Sequence, residues 1–142
     1  MAEDFATPQD AEDAFYDALD DADAEKMHRV WDESPDIACL LPMQALVHGP
    51  DVHKVWEPLV KGEIRLDIQV RHVRWLEVDD VAIHYVEELV NVPGRGKQPP
   101  MYATNVFRKG DQGWRMILHQ NSPAPPPPGS MAPGRGAVPA NT

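Results

Sequence analysis

Apolar positions in the first thirty residues recur at helical spacing. Ala11, Ala14, Phe15, Ala18, Leu19 and Ala22 share one side of a helix whose other side carries Asp10, Asp13, Asp17 and Asp20. Thr7 is placed to cap this helix, Pro8 suits its first position, and Asp10 follows three residues after the cap. A second, shorter helix starts from Asp23, with Met27, Val30 and Trp31 facing inward, and "DESP" ends it. "DIACLLPMQALVHG" predicts two short strands around Pro42. Gly49-Pro50 then opens a third helix with the stripe Val52, Val55, Trp56, Leu59 and Val60. Pro58 falls inside that stripe, where it removes a hydrogen bond and crowds the preceding turn, so a kink or stop is expected near Glu57.

From Ile64 the period becomes two. Ile64, Leu66, Ile68 and Val70 alternate with Arg65, Asp67, Gln69 and Arg71, the pattern of a half-buried strand. Beyond His72 the apolar residues move to Val73 and Trp75, a slip that predicts a β-bulge near 71–73. Asp79-Asp80 turns the chain into "VAIHYVEELVNV", "PGRGKQPP" is a loop, and "ATNVFRKGDQGWRMILHQNSP" is a closing hairpin about "GDQG". Residues 123–142 hold 7 of the 15 prolines and little apolar bulk, so a disordered tail is expected there. "PAPPPPG" within it is the one stretch a proline-binding domain would read.

Composition sharpens this picture in two places. The net charge of −10 lies almost wholly before residue 37, where 13 acidic residues face 2 basic ones. Such a surface repels phosphate backbones and argues against nucleic-acid binding. The single cysteine, Cys39, lies in the apolar run "IACLL" and reads as a buried small hydrophobe. No stretch has the basic start of a signal peptide or the apolar length of a membrane span, so no membrane association and a cytoplasmic location are expected.

Helices, a short hairpin, another helix and then four long strands give an α+β order. Trp31 followed by "DESPDIACLLP", "VHG" before a helix containing Trp56, and the terminal hairpin ending in "HQNSP" together resemble the SnoaL-like branch of the NTF2-like superfamily, over about residues 8–123. That resemblance implies one domain over 1–122: a cone-shaped α+β fold, with three N-terminal helices packed on a strongly curved antiparallel sheet. It further implies a pocket for a small organic ligand, and a homodimer built by packing sheets together. Relatives of this kind are small bacterial proteins that include ketosteroid isomerases, polyketide cyclases and dehydratases beside non-catalytic binding modules, so fold alone does not assign chemistry. Pro58 in the third helix, and one histidine in "HQNSP" where relatives often carry two, depart from the pattern.

Candidate site residues follow from alternation. With "GDQG" as the loop, Lys109 pairs with Trp114, Phe107 with Met116, Asn105 with Leu118 and Ala103 with Gln120. This register places Asn105 and Gln120 at the pocket. It turns Thr104, Val106, Ile117 and His119 toward a dimer partner, unless a bulge reverses His119. Glu87 and Glu88 are adjacent mid-strand, and one must face inward. Glu87 shares a side with Ile83, Tyr85 and Leu89 and is the expected general base, the competing assignment being an ion pair with Arg71 or Arg74. Tyr16, Trp31 and Trp56 are expected as an apolar wall suited to a flat ligand, with His48 at the rim or hydrogen-bonded to its own loop. The six histidines show neither H-x-H nor H-E-x-x-H spacing, and no phosphate loop or nucleophile motif occurs, so neither metal nor cofactor is expected.

Two functions remain open at this point. One is cofactor-free acid–base chemistry (isomerase, cyclase or dehydratase type) on an aromatic or polycyclic compound, with Glu87 as base and Asn105 and Gln120 as orienting donors. The other is a non-catalytic dimer that binds a ligand or assists an enzyme. A buried unpaired Glu87 favours the first, an arginine partner the second.

Overall fold

The computed structural model describes residues 5–62 and 66–125. The proline-rich tail beyond 125, and Ile64 and Arg65 of the expected strand, lie outside the described residues. Helix α1 (Pro8–Asp21) begins where expected: the Thr7 hydroxyl accepts from Asp10 N at 3.0 Å, and Pro8 occupies the first turn. Helix α2 (Ala24–Val30) is capped by Asp23, which accepts from Lys26 N. Strands β1 (Ala38–Leu40) and β2 (Val47–His48) form the short hairpin around Pro42. The third helix is broken at Trp56 into α3 (Asp51–Val55) and α4 (Glu57–Val60). Pro58 thereby falls in the first turn of α4, where its missing N–H leaves no helical acceptor unmatched.

Four long strands follow, β3 (Asp67–Val78), β4 (Val81–Val92), β6 (Met101–Gly110) and β7 (Gly113–Pro123), with the two-residue β5 (Gly96–Lys97) pairing β4. The sheet order is β2-β1-β7-β6-β4-β3. All pairings are antiparallel except β1 with β7, which is parallel, so the sheet is mixed rather than purely antiparallel. The chain between these two strands, from β2 through α3, α4 and β3 to β6, is long enough for the crossover that a parallel pair needs. The bulge expected near residue 73 is present, since the β3–β4 register shifts between His72 and Arg74.

A second bulge was not foreseen, and it moves the site. In the β6–β7 hairpin Phe107 pairs with Met116, but Val106 pairs with Leu118, leaving Ile117 as the extra residue. From there the register runs one residue off the simple expectation. Asn105 faces His119 rather than Leu118, and Ala103 faces Asn121 rather than Gln120. Because side chains alternate, a one-residue slip exchanges the faces of everything beyond it.

The core lies between the helices and the inner sheet face. Phe15 is at its centre, its ring 4.9 Å from Tyr16, 6.5 Å from Trp31, 5.3 Å from Trp56 and 4.8 Å from His119. Cys39, Ala82, Val86, Ala103, Phe107, Trp114 and Met116 are the buried apolar side chains of the described strands. Phe5 locks the N-terminal segment onto the hairpin: its carbonyl accepts from Trp114 N at 2.9 Å. Gly113 there has φ +92, and a Cβ at that position would lie 2.5 Å from Phe5 O.

Candidate functional site

The inner face of β4 is the even-numbered one. Ala82, His84, Val86 and Glu88 are buried, whereas Tyr85 and Leu89 are each 39% exposed. The choice of Glu87 over Glu88 as the inward carboxylate is therefore corrected. Glu87 faces out, opposite Arg71 on β3, and forms an ion pair with it. The odd face misled because it also carries apolar residues, Ile83, Tyr85 and Leu89, so hydrophobicity did not distinguish the two sides.

Glu88 instead anchors a buried polar chain. Its Oε2 accepts from the Tyr16 hydroxyl at 2.7 Å, and its Oε1 accepts from Asn121 Nδ2 at 3.0 Å. Asn105 Nδ2 donates to Tyr16 Oη at 3.1 Å and to Glu12 Oε2 at 2.9 Å. His119 sits between the two amides, with Nδ1 2.6 Å from Asn105 Oδ1 and Nε2 3.1 Å from Asn121 Oδ1. Burial, and then the facing Glu88 carboxylate, raise the Tyr16 pKa well above its ordinary value, so it stays a phenol donor. Burial lowers the His119 pKa, against the pull of Glu88, whose Oε2 is 3.9 Å from Nε2, and of Asn121 and Glu12. A neutral His119 has one proton for two acceptors. If it gives that proton to the shorter contact, Nε2 faces Asn121 Oδ1 without one. Turning the Asn121 amide relieves that contact at the expense of its bond to Glu88.

Asn121 is also where this chain meets an opening. An apolar hollow of about 670 Å³ is lined by Leu40, Leu41, Val90, Val92, Met101 and Asn121 among others. Glu12 continues the network toward the β3 edge. Its Oε1 is 2.6 Å from His72 Nε2, and its Oε2 is 3.1 Å from His84 Nδ1. Burial raises the Glu12 pKa, but His84, Asn105 and His72 together hold it below the usual carboxylate value. Glu12, His72 and His84 are the described residues with the donor set to hold a metal ion.

The expected site residues are thus only partly brought together. Tyr16 and Asn105 meet in the buried network. Trp31 and Trp56 are 1% and 3% exposed and belong to the aromatic core, not to the lining of the hollow beside Asn121. His48 is exposed on β2, paired with Ala38. Gln120 is exposed opposite Thr104 on the outer face, so the bulge removes it from the interior. His119, expected at an interface, is 2% exposed inside the domain for the same reason. Thr104 and Val106 remain half-buried on the outer face, while Ile117 packs against the core. Sequence reasoning missed Glu12, Glu88 and Asn121. For Glu12 a signal existed: it precedes Phe15, Tyr16 and Leu19 by three, four and seven positions, which places a carboxylate on the buried stripe.

Comparison with known proteins matches this architecture. The SnoaL-like domain family matches residues 9–126. A candidate calcium/calmodulin-dependent protein kinase type II association domain from Thiobacillus denitrificans is 35% identical, with a TM-score of 0.78 over 85% of this chain and 98% of that one. A dehydratase candidate of the NTF2-like family from Streptomyces avermitilis is 23% identical, with a TM-score of 0.72 over 82% of this chain and 92% of that one. An NTF2-like protein of unknown function from Pseudomonas putida is 16% identical, with a TM-score of 0.69 over 80% of this chain and 82% of that one. The last two speak to the fold alone. No curated protein matches the chain. The chain belongs to the SnoaL-like domain family, with the α+β fold of the NTF2-like superfamily.

Proposed function

We infer that the protein binds a small, mostly apolar organic molecule in the hollow lined by Leu40, Val90, Val92 and Met101. Asn121 acts as the hydrogen-bonding group that orients it. The observation carrying this reading is the position of Asn121, which lines an apolar hollow of about 670 Å³ and is hydrogen-bonded behind it to Glu88 and His119. That volume lies within the range of small-molecule sites, and the mix of apolar walls with one anchored amide is their usual composition. Native mass spectrometry of freshly purified protein tests it. A retained small molecule that is lost in Val90→Arg supports the reading. No adduct, together with no thermal shift from a panel of polycyclic ketones, removes it.

Acid–base chemistry on the bound molecule is the second reading, favoured by the buried Glu88–Tyr16–Asn105–His119 chain. In it Glu88 replaces Glu87 as the base that takes the ligand's proton, with Tyr16 and Asn121 orienting its carboxylate by donated hydrogen bonds. Glu88→Gln is expected to abolish turnover of any retained compound that reacts, while Glu87→Gln leaves it intact. The ion pair of Glu87 with Arg71 weighs toward simple binding, so binding remains the first reading. A homodimer through the outer sheet face belongs to the same proposal. Val78, Tyr85, Leu89 and Tyr102 expose apolar surface there beside Thr104 and Val106.

A further inference from the structure

We propose that Glu12, His72 and His84 form a binding site for a divalent transition-metal ion of the zinc, cobalt or nickel type. The three residues come from α1, β3 and β4, which is why no spacing along the chain announces them. Their donor atoms, one carboxylate oxygen and two ring nitrogens, all lie within 4.8 Å of one another. Donors bound to one zinc ion at about 2.0–2.2 Å stand about 3.3–3.6 Å apart in a tetrahedral set; His72 Nε2 stands 2.6 Å from Glu12 Oε1 and His84 Nδ1 3.1 Å from Glu12 Oε2, so the two imidazoles flank the two oxygens of one carboxylate at slightly closer range. Small side-chain rotations suffice to admit an ion.

His84 supplies the independent observation. It is 4% exposed, and its Nδ1 has no hydrogen-bond partner among the described residues although Glu12 Oε2 is 3.1 Å away. The two groups are close without being aligned to bond each other, so this ring nitrogen is left for a third atom. A buried polar atom without a partner calls for such an account.

The surroundings fit a metal as well. Asn105 Nδ2 donates to Glu12 Oε2 at 2.9 Å and Gln9 Nε2 to Glu12 Oε1 at 3.3 Å, fixing the carboxylate as outer partners of metal ligands do. The Trp75 ring stands 5.3 Å from His72 and 5.4 Å from His84, shielding the imidazoles on one side. The cluster borders two surface hollows, one lined by Gln9, Trp75 and His84 and the other by Gln9, Glu12 and His72. These give an entry path and room for water in the remaining coordination positions. Two imidazoles and one carboxylate favour zinc, cobalt or nickel over magnesium or calcium, which take oxygen sets.

The test uses the full chain after chelator treatment, titrated with cobalt(II) and followed by its visible absorption, then with zinc(II) by calorimetry. Saturable binding of one ion per chain at micromolar or lower concentration is expected. His72→Ala, at the exposed rim and thus compatible with folding, should weaken it by more than the about 10–100-fold that loss of an outer partner costs, as should His84→Ala. The stacked pair His28 and His53, with rings 4.2 Å apart, is the competing place for an ion. His53→Ala should leave binding unchanged. Absence of saturable binding overturns the proposal. So does binding that survives His72→Ala or that disappears with His53→Ala.

Discussion

His119 and Cys39 show how burial alone sets the behaviour of single side chains. Burial lowers the folded-state pKa of His119, so the unfolded chain, at about 6.5, binds the proton more readily. The contribution of this residue to stability is therefore full above about pH 6.5 and is lost as pH falls from there through the folded-state value. Glu88 and Asn121 beside it and Glu12 on α1 are the groups that temper this shift. Denaturant unfolding at stepped pH should show an acid decline that flattens in His119→Gln relative to the native sequence. Cys39 is pushed up to about 12 by burial, so almost no thiolate exists at neutral pH. Iodoacetamide should leave it unmodified in the folded protein and alkylate it after denaturation, as read by mass. The Arg71–Glu87 pair belongs to this scale too. With the Arg71 side chain 71% exposed, removing the pair by Glu87→Gln should cost less than about 1 kcal/mol. Glu88→Gln leaves a buried donor without its acceptor and should cost about 1–3 kcal/mol. Urea unfolding of the two variants side by side checks the contrast.

At the level of elements, what the chain announces and what it conceals divide along the range of the interaction. The starts of α1 and α2 were legible because Thr7, Pro8 and Asp23 act on groups within a turn of themselves. The break at Trp56 and the bulge at residue 73 were legible because a proline and a slip in alternation leave local marks. The bulge at Ile117 was not. Ile117 and Leu118 are both apolar, so either register keeps the hydrophobic pattern intact, and only pairing with β6 decides between them. The same ambiguity hid Glu88, Asn121 and the inward turn of His119. The parallel entry of β1 beside β7 is a contact across some eighty residues with no local trace. Gly113 marks the other end of this hairpin. Its φ of +92 and the approach of Phe5 O both require that no Cβ be present. Gly113→Ala should cost at least about 1–3 kcal/mol from the backbone alone and release Phe5 from Trp114, seen as a lower urea midpoint and exposed tryptophan emission.

For the molecule as a whole, the sheet has one face committed to the helices and one carrying unpaired apolar side chains. Val78 is 58% exposed and Tyr102 41%, with Tyr85 and Leu89 between them on the same surface. Tyr85→Glu places a charge at the middle of that surface. If the homodimer forms there, this variant should run at monomer mass in native mass spectrometry while keeping its fold by circular dichroism. A native-sequence monomer would remove the interface from the proposal.

The extra residue at Ile117 has a consequence for how such a protein can change. Deleting that one residue would leave Met116 opposite Phe107 and Leu118 opposite Val106 with no bulge between them, so His119 and Asn121 would keep the inner face. Strand β7 can therefore shorten by one codon at this point without turning its polar residues outward. Losing the bulge while keeping Ile117 does the reverse: Ile117 then pairs with Val106 and Leu118 with Asn105, and His119 and Asn121 turn to the outer face.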